Sequence, residues 1–264
     1  MKILVCVKQV LDPESVIGIS ASGKWIEAAP GALYRMNRYD EFALEAALRM
    51  REAFPETHID ALSAGPARAA QTVRRALEMG ADEGIHLFLS DDRYRTPVEI
   101  ASLIGAYASR RDYDLILTGV MAEDDMQAQV GPMLAEILGY PCATAVMSIM
   151  LPHPFGAIQV ERELEGGRRE AFALTLPALL TVQSGINRPR YPALSHVLRA
   201  RSQELIMIDA LQAPAADPFS LPAPREWIVN LEEPAPLKTG MIIPGSPTEK
   251  AEKLLRILQE RALL

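Results

Sequence analysis

Three consecutive acids, Glu123, Asp124 and Asp125, stand a few residues after a short apolar run that ends at Gly119. Adjacent carboxylates suit a divalent cation or paired acid–base work. Beside a helix start the same residues favour the dipole and cap backbone N–H groups, and that structural use is weighted above the chemical one. The four histidines, His58, His86, His153 and His196, have no metal-ligand spacing and no plausible serine nucleophile beside them, so each is expected to be incidental. Cys6 and Cys142 give neither metal spacing nor a disulfide framework. Cys6 lies in the apolar run from Ile3 to Val7, where a thiol packs as a small hydrophobe. No Walker lysine follows Gly119, and no Gly-x-Gly-x-x-Gly follows the first apolar run, so phosphate hydrolysis and ordinary NAD binding are both disfavoured.

The elements that must position these residues follow from periodicity. Leu115-Ile116-Leu117-Thr118-Gly119 reads as a strand running into a polar loop. Apolar residues then recur at Val130, Met133, Leu134, Ile137 and Leu138, which is helical spacing. Upstream, Ile3 to Val7, Ile59 to Ser63, Gly84 to Leu89 and Asp114 to Thr118 read as short buried strands. Helices are expected over Asp40 to Phe54, from Pro66 to Gly80, and over Pro97 to Arg110. A polar loop is expected between the first strand and the first helix, with Gly18, Gly23 and Gly31 in it. Alternation of short strands and helices means a doubly wound, mostly parallel α/β sheet. Ligands bind such sheets where strand, loop and helix N-terminus meet, because the helix end offers unpaired N–H groups to an anion. The result is a nucleotide-sized crevice without a catalytic group of its own, which suits a binding or electron-carrying module better than a self-sufficient enzyme.

After Pro141 the pattern changes. Ala143 to Met150, Ile158 to Leu164 and Arg169 to Leu176 read as strands wet on one face, with Glu165-Gly166-Gly167 as a hairpin turn, and Pro177 to Val182 as another apolar strand. Asn187-Arg188-Pro189-Arg190-Tyr191-Pro192 is basic and turn-rich, part of a loop from Asn187 to Ser195. Ala213 to Pro224 is proline-rich and reads as an extended arm. Thr248 to Leu263 is an amphipathic helix with Ala251, Leu254, Leu255 and Leu258 on one face. The division expected is a nucleotide-binding domain over 1–212 and a partner-embracing arm and helix over 213–264. A net charge of −7 argues against a nucleic-acid surface. No segment is long and apolar enough to span a membrane, and the N-terminal apolar run is too short for a signal peptide, so a soluble cytoplasmic protein is expected.

Several motifs, taken in order, resemble the beta subunit of electron transfer flavoprotein. They are Lys2-Ile3-Leu4-Val5-Cys6-Val7-Lys8-Gln9-Val10, Met36-Asn37-Arg38-Tyr39-Asp40-Glu41, Ser63-Ala64-Gly65-Pro66, and Arg75-Ala76-Leu77-Glu78-Met79-Gly80-Ala81-Asp82. Ala128-Gln129-Val130-Gly131-Pro132, Val160 to Gly167, Leu176 to Val182, and Asn187 to Leu194 follow. The resemblance implies a Rossmann-like fold of the adenine-nucleotide alpha-hydrolase kind, paired in a heterodimer with an alpha subunit that carries the redox FAD. The beta subunit then holds AMP or, in electron-bifurcating members, a second FAD.

By the same resemblance the nucleotide lies against Cys6, against Asn37, Arg38, Tyr39 and Asp40, against Ala64, and against Gly119, Val120, Met121, Ala122, Asp124, Gln127, Ala128, Gln129 and Val130. Small groups at Ala64 and Gly119 are expected to leave room for a purine. The loop near 184–200 is expected to meet a flavin dehydrogenase through Arg188, Arg190 and Tyr191, with Leu194 as the apolar anchor. The chain departs from many relatives at Val120-Met121, where a cation and Gln are common, and at Met126-Gln127, where a shorter polar pair is common. Three functions stay open: an electron carrier with AMP or FAD, a bifurcating subunit whose own FAD oxidises NADH, and a non-redox adenine-nucleotide-binding scaffold.

Overall fold

The computed structural model describes residues 1–152, 156–210, 226–235 and 240–264. The elements run β1 (Lys2–Cys6), β2 (Gln9–Leu11), β3 (Ile17–Ile19), β4 (Ile26–Ala28), β5 (Tyr34–Met36), α1 (Arg38–Ala53), β6 (His58–Gly65), α2 (Ala70–Met79) and β7 (Glu83–Phe88). They continue with α3 (Pro97–Ala108), β8 (Leu115–Gly119), α4 (Val130–Leu138), β9 (Cys142–Met150), β10 (Ala157–Glu163), β11 (Arg169–Thr175), β12 (Ala178–Val182), α5 (Leu194–Ser202), β13 (Ile206–Asp209) and α6 (Pro247–Glu260). The expected mixed α/β architecture is present.

Nine strands form one sheet in the order β11-β10-β9-β12-β8-β1-β6-β7-β13. Neighbours from β9 across to β13 pair in parallel, while β10 runs antiparallel to both β9 and β11 and forms the added hairpin. Because each β1 side chain alternates sides, Ile3 and Val5 join α1 and α2 in one core, and Leu4 and Cys6 join α3 and α4 in the other. The sheet is thus wound on both faces. From β1 the chain moves outward through β6 and β7, then returns to β8 on the other side of β1. The strand order therefore reverses between β1 and β8, a topological switch point of the kind at which doubly wound sheets bind ligands.

Local chemistry explains the helix limits. Thr96 caps α3 and Glu99 reaches back to it, a reciprocal capping box with Pro97 at the first position. Gly80 after α2 and Gly139 after α4 take positive φ, which glycine adopts without a Cβ penalty. Asp40 and Glu41 lie in the first turn of α1, favouring its dipole.

Four features differ from the sequence expectation. The loop after β1 contains two small antiparallel pairs, β2 with β5 and β3 with β4. The segment taken as a loop to Ser195 turns helical at Leu194. The edge strand β13 pairs in parallel with β7. The cap of α6 is Ser246, whose hydroxyl and Glu249 form a second capping box ahead of Pro247. The proline-rich arm Ala213 to Pro224 and the expected boundary at 212–213 lie outside the described residues. Contacts divide the chain into Met1–Leu231 and Glu232–Leu264. The first ends with Leu231 N–H donating to the Gly23 carbonyl at 2.8 Å. The second contains α6, none of whose residues is buried. No helix among the described residues is long and apolar enough to cross a membrane.

Candidate functional site

Three strand ends meet at the switch point. Cys6 is the last residue of β1, Gly119 the last of β8, and Ala64 the last but one of β6, so the sheet brings the expected trio together. Cys6 is buried, and burial followed by the charge of Asp40 pushes its thiol far above the ordinary range. It packs among apolar side chains, where a protonated thiol is a poor nucleophile.

The start of α1 is stitched to the loop after β8. Asn37 is buried; its Nδ2 donates to the Met121 carbonyl at 2.9 Å and its Oδ1 accepts from Glu123 N–H at 3.1 Å. Asp40 is also buried, one oxygen accepting from Lys8 N–H at 2.7 Å and the other from Gly119 N–H at 2.9 Å. Burial pushes the Asp40 carboxyl up to about 7, even with those two N–H donors favouring its charge. A Cβ on Gly119 would lie 2.5 Å from an Asp40 oxygen and 2.6 Å from Tyr39 Cβ. That direction is therefore filled by protein, and the glycine is fixed by the close approach of α1. What Gly119 offers a ligand is backbone, not the side-chain space that the sequence suggested for a purine.

The acids of the loop are paired off. Lys8 Nζ contacts Asp124 at 2.7 Å and Asp125 at 3.0 Å. Burial pulls the Lys8 ammonium down, and these two carboxylates more than offset it. Arg35 Nη2 donates to both Glu123 oxygens at 3.2 Å, and Arg38 N–H donates to Glu123 Oε2 at 3.3 Å. Glu123 thus caps α1, not the α4 that follows it, while Asp124 and Asp125 brace the loop through Lys8.

The remainder of the loop leads into α4. Val120 N–H donates to the Val182 carbonyl, and the Ala122 carbonyl accepts from Met126 N–H. Met126 and Ala128 both hold left-handed backbone, with φ of 52° and 55°. Without glycine, each such residue costs about 1 kcal/mol or more and persists only where its surroundings impose it. Gln127 is pinned between them, its Nε2 donating to the Tyr94 hydroxyl at 2.6 Å and its N–H to Asp125 at 3.2 Å. Tyr94 in turn packs on Trp25, with ring centroids 4.8 Å apart. Gln129 occupies the N-cap position of α4 with no side-chain hydrogen bond, and the first turn from Val130 carries no acid. A Cβ on Gly131 would meet Thr181 Cγ2 at 2.5 Å, so this turn lies tight against the sheet. A cavity of about 270 Å³ beside α1 and β9 is lined by Met50, Phe54, Met147 and Ile186 and by none of these residues.

Sequence reasoning missed Lys8, Arg35, Tyr94 and Trp25. Their partners lie far away in the chain, Lys8 and Asp124 being 116 positions apart, so no local spacing reports them.

The second expected site splits in two. Arg190 is bound to α1: its guanidinium grips both Glu45 oxygens at 2.8 and 3.0 Å and Glu52 at 2.7 Å. The hydrogen bond to Glu45 raises Arg190 further above its ordinary value. Burial alone would raise Glu45, but the bonds from Arg190 and Arg49 win and hold it below its usual range. Asn187 Nδ2 donates to the Phe42 carbonyl at 2.9 Å. Arg188 is exposed, as are Tyr191 at 93% and Leu194, the first residue of α5, at 73%.

The family model described as electron transfer flavoprotein domain matches residues 26–212. The chain is 32% identical to electron transfer flavoprotein subunit beta of Bacillus subtilis over 99% of each chain. It is also 32% identical to the subunit beta of Bos taurus over 98% of this chain and 97% of that one. The mitochondrial subunit beta of Oryza sativa subsp. indica is 34% identical over 92% of this chain and 93% of that one.

Proposed function

Since the chain belongs to the electron transfer flavoprotein beta-subunit family, we propose that it binds an adenine nucleotide, AMP or FAD, at the switch point. It pairs with a FAD-bearing alpha subunit to carry electrons from dehydrogenases. The observation that carries this is the turn into α4: two non-glycine residues in left-handed backbone, then a helix with no side-chain cap, no acid in its first turn, and a place where the strand order reverses. Such strain clusters at ligand clamps, and an uncapped helix start directs N–H groups and a positive dipole end at an anion.

The residues present fit a nucleotide phosphate. Val130 and Gly131 present first-turn N–H groups, while Pro132 has none to give. Lys8 bridges Asp124 and Asp125 and Arg35 holds Glu123, so each acid beside the turn has a cationic partner, two cations serving three carboxylates. Gln127, fixed by Tyr94, holds the strained turn in place. A bound flavin would supply the redox chemistry; the chain supplies its seat. Exposed Leu194 beside Tyr191, on a segment tied to α1 through Arg190, suits an apolar anchor for a dehydrogenase.

Cofactor extraction from the chain purified with its alpha subunit tests the reading. One FAD plus AMP per heterodimer supports the carrier. Two FAD would favour the bifurcating alternative, and a colourless preparation would leave the non-redox scaffold. Leu194→Ala is expected to slow electron transfer from the dehydrogenase with nucleotide content and melting temperature unchanged. Loss of stability with unchanged transfer would remove the anchor role.

A further inference from the structure

At the opposite end of the sheet from the crevice, His58, Asp60 and Glu83 come together. His58 and Asp60 lie two apart on β6, so their side chains leave the same face of the sheet. Glu83 begins β7 and is the direct register partner of Asp60. One ligand atom from each, an imidazole nitrogen and two carboxylate oxygens, lies within 4.8 Å of the others. Ligands of one tetrahedral Zn²⁺ at about 2.0–2.2 Å stand roughly 3.3 Å apart, so this spacing closes around a small ion with minor rotation.

The second observation is the state of Asp60. Its side chain is 1% exposed. Oδ2 is served: the Tyr113 hydroxyl donates to it at 2.6 Å, and Lys2 Nζ lies 3.5 Å away. Oδ1 has no hydrogen-bond partner. His58 Nε2 stands only 2.9 Å from it, yet the ring N–H direction does not make a hydrogen bond, so proximity leaves the oxygen unsatisfied. A buried carboxylate oxygen without a donor is costly, and a cation relieves that cost. His58 Nε2 is the ring nitrogen nearer Asp60, while Nδ1 lies 3.8 Å from Asp82 Oδ2, beyond hydrogen-bond distance. Asp82 is itself fixed by Arg51 at 3.0 Å and by Ile59 N–H at 2.8 Å.

We propose that His58 Nε2, Asp60 Oδ1 and Glu83 form a three-ligand site for a divalent transition metal, Zn²⁺ by preference, with water in the fourth position. One imidazole and two carboxylates suit Zn²⁺ better than the all-oxygen shells of Mg²⁺ or Ca²⁺. Two carboxylates and a neutral imidazole balance the ion's charge. The site is independent of the nucleotide crevice, since its ligands sit at the N-terminal ends of the strands.

The untagged full-length chain, freed of metal with a chelator, is titrated with Co²⁺ and followed by visible absorption, then by displacement with Zn²⁺. Intense tetrahedral Co²⁺ bands saturating at one equivalent, quenched by Zn²⁺ and unaffected by excess Mg²⁺, are the expected result. His58→Ala and Glu83→Gln each weaken binding by at least about tenfold. Both alter partly or wholly exposed side chains, and circular dichroism verifies that they fold, whereas Asp60 also holds Tyr113. Absent bands in the wild-type chain, or bands that persist in the folded His58→Ala/Glu83→Gln double variant, overturn the site and leave His58 as a plain ion-pair partner of Asp60.

Discussion

At the C-terminal end of the sheet, Asp40 gives both oxygens to backbone N–H groups of Lys8 and Gly119, and Glu123, Asp124 and Asp125 are matched to Arg35 and Lys8. At the N-terminal end, Asp60 uses one oxygen and leaves the other unserved beside His58 and Glu83. The same residue type therefore plays opposite parts. Where carboxylates are consumed as braces, they hold a loop in shape. Where one is left open, the side chain itself has binding capacity. Counting acids near a strand end cannot separate the two; following each oxygen to its donor does.

The contrast is broken most directly at Asp40. Asp40→Ala leaves two buried N–H groups without an acceptor, and should cost about 2–5 kcal/mol in chemical unfolding. A loss well under 1 kcal/mol would show that this carboxylate does not brace the loop. Gly119→Ala forces a Cβ to 2.5 Å from Asp40 and should cost about 1–3 kcal/mol by the same measurement. A tolerated alanine would mean that α1 is free to withdraw.

The pH response sharpens the same point. Asp40 titrates near 7 in the folded chain, above its unfolded value. Its contribution to stability is therefore fully present below the ordinary carboxylate range and is lost as pH rises through about 7. Unfolding free energies measured between pH 4 and 8 should carry this downward component, and Asp40→Asn should remove it; an identical profile in the variant would assign the slope elsewhere. The smallest effect lies at the other end. Glu83 is exposed, so Glu83→Gln in metal-free protein should change stability by less than about 0.5 kcal/mol. A cost like that of Asp40→Ala would make Glu83 a brace too and erase the difference.

Much of the fold was legible because its signals are local. The runs Ile3 to Val7 and Leu115 to Thr118 are continuous apolar strands since both faces of the sheet are covered. The small pairs within 9–36 were not legible, because three-residue strands such as Ile17–Ile19 bury too little to impose a pattern. The strand β13 was missed for a related reason: Ile206 and Met207 are exposed, and its place is set by backbone pairing with β7. Helix α5 was hidden by Pro189 and Pro192 and by Ala193, which supplies no side-chain cap. At the switch point, the strand ends and the loop into α4 were readable, whereas Asn37 bonding to Met121 and Lys8 to Asp124 join distant positions that only the folded sheet brings together. The grouping of His58 with Asp60, two places on, and Glu83, across the ladder, is one that spacing along the chain does not report.

The short β13 has a consequence for handling the chain. It occupies the hydrogen-bonding side of β7 from Ile85 to Phe88. A chain ended before Ile206 would expose that row of unpaired N–H and C=O groups as a template for another molecule's strand. Aggregation of such a truncated form would then reflect an uncovered sheet edge.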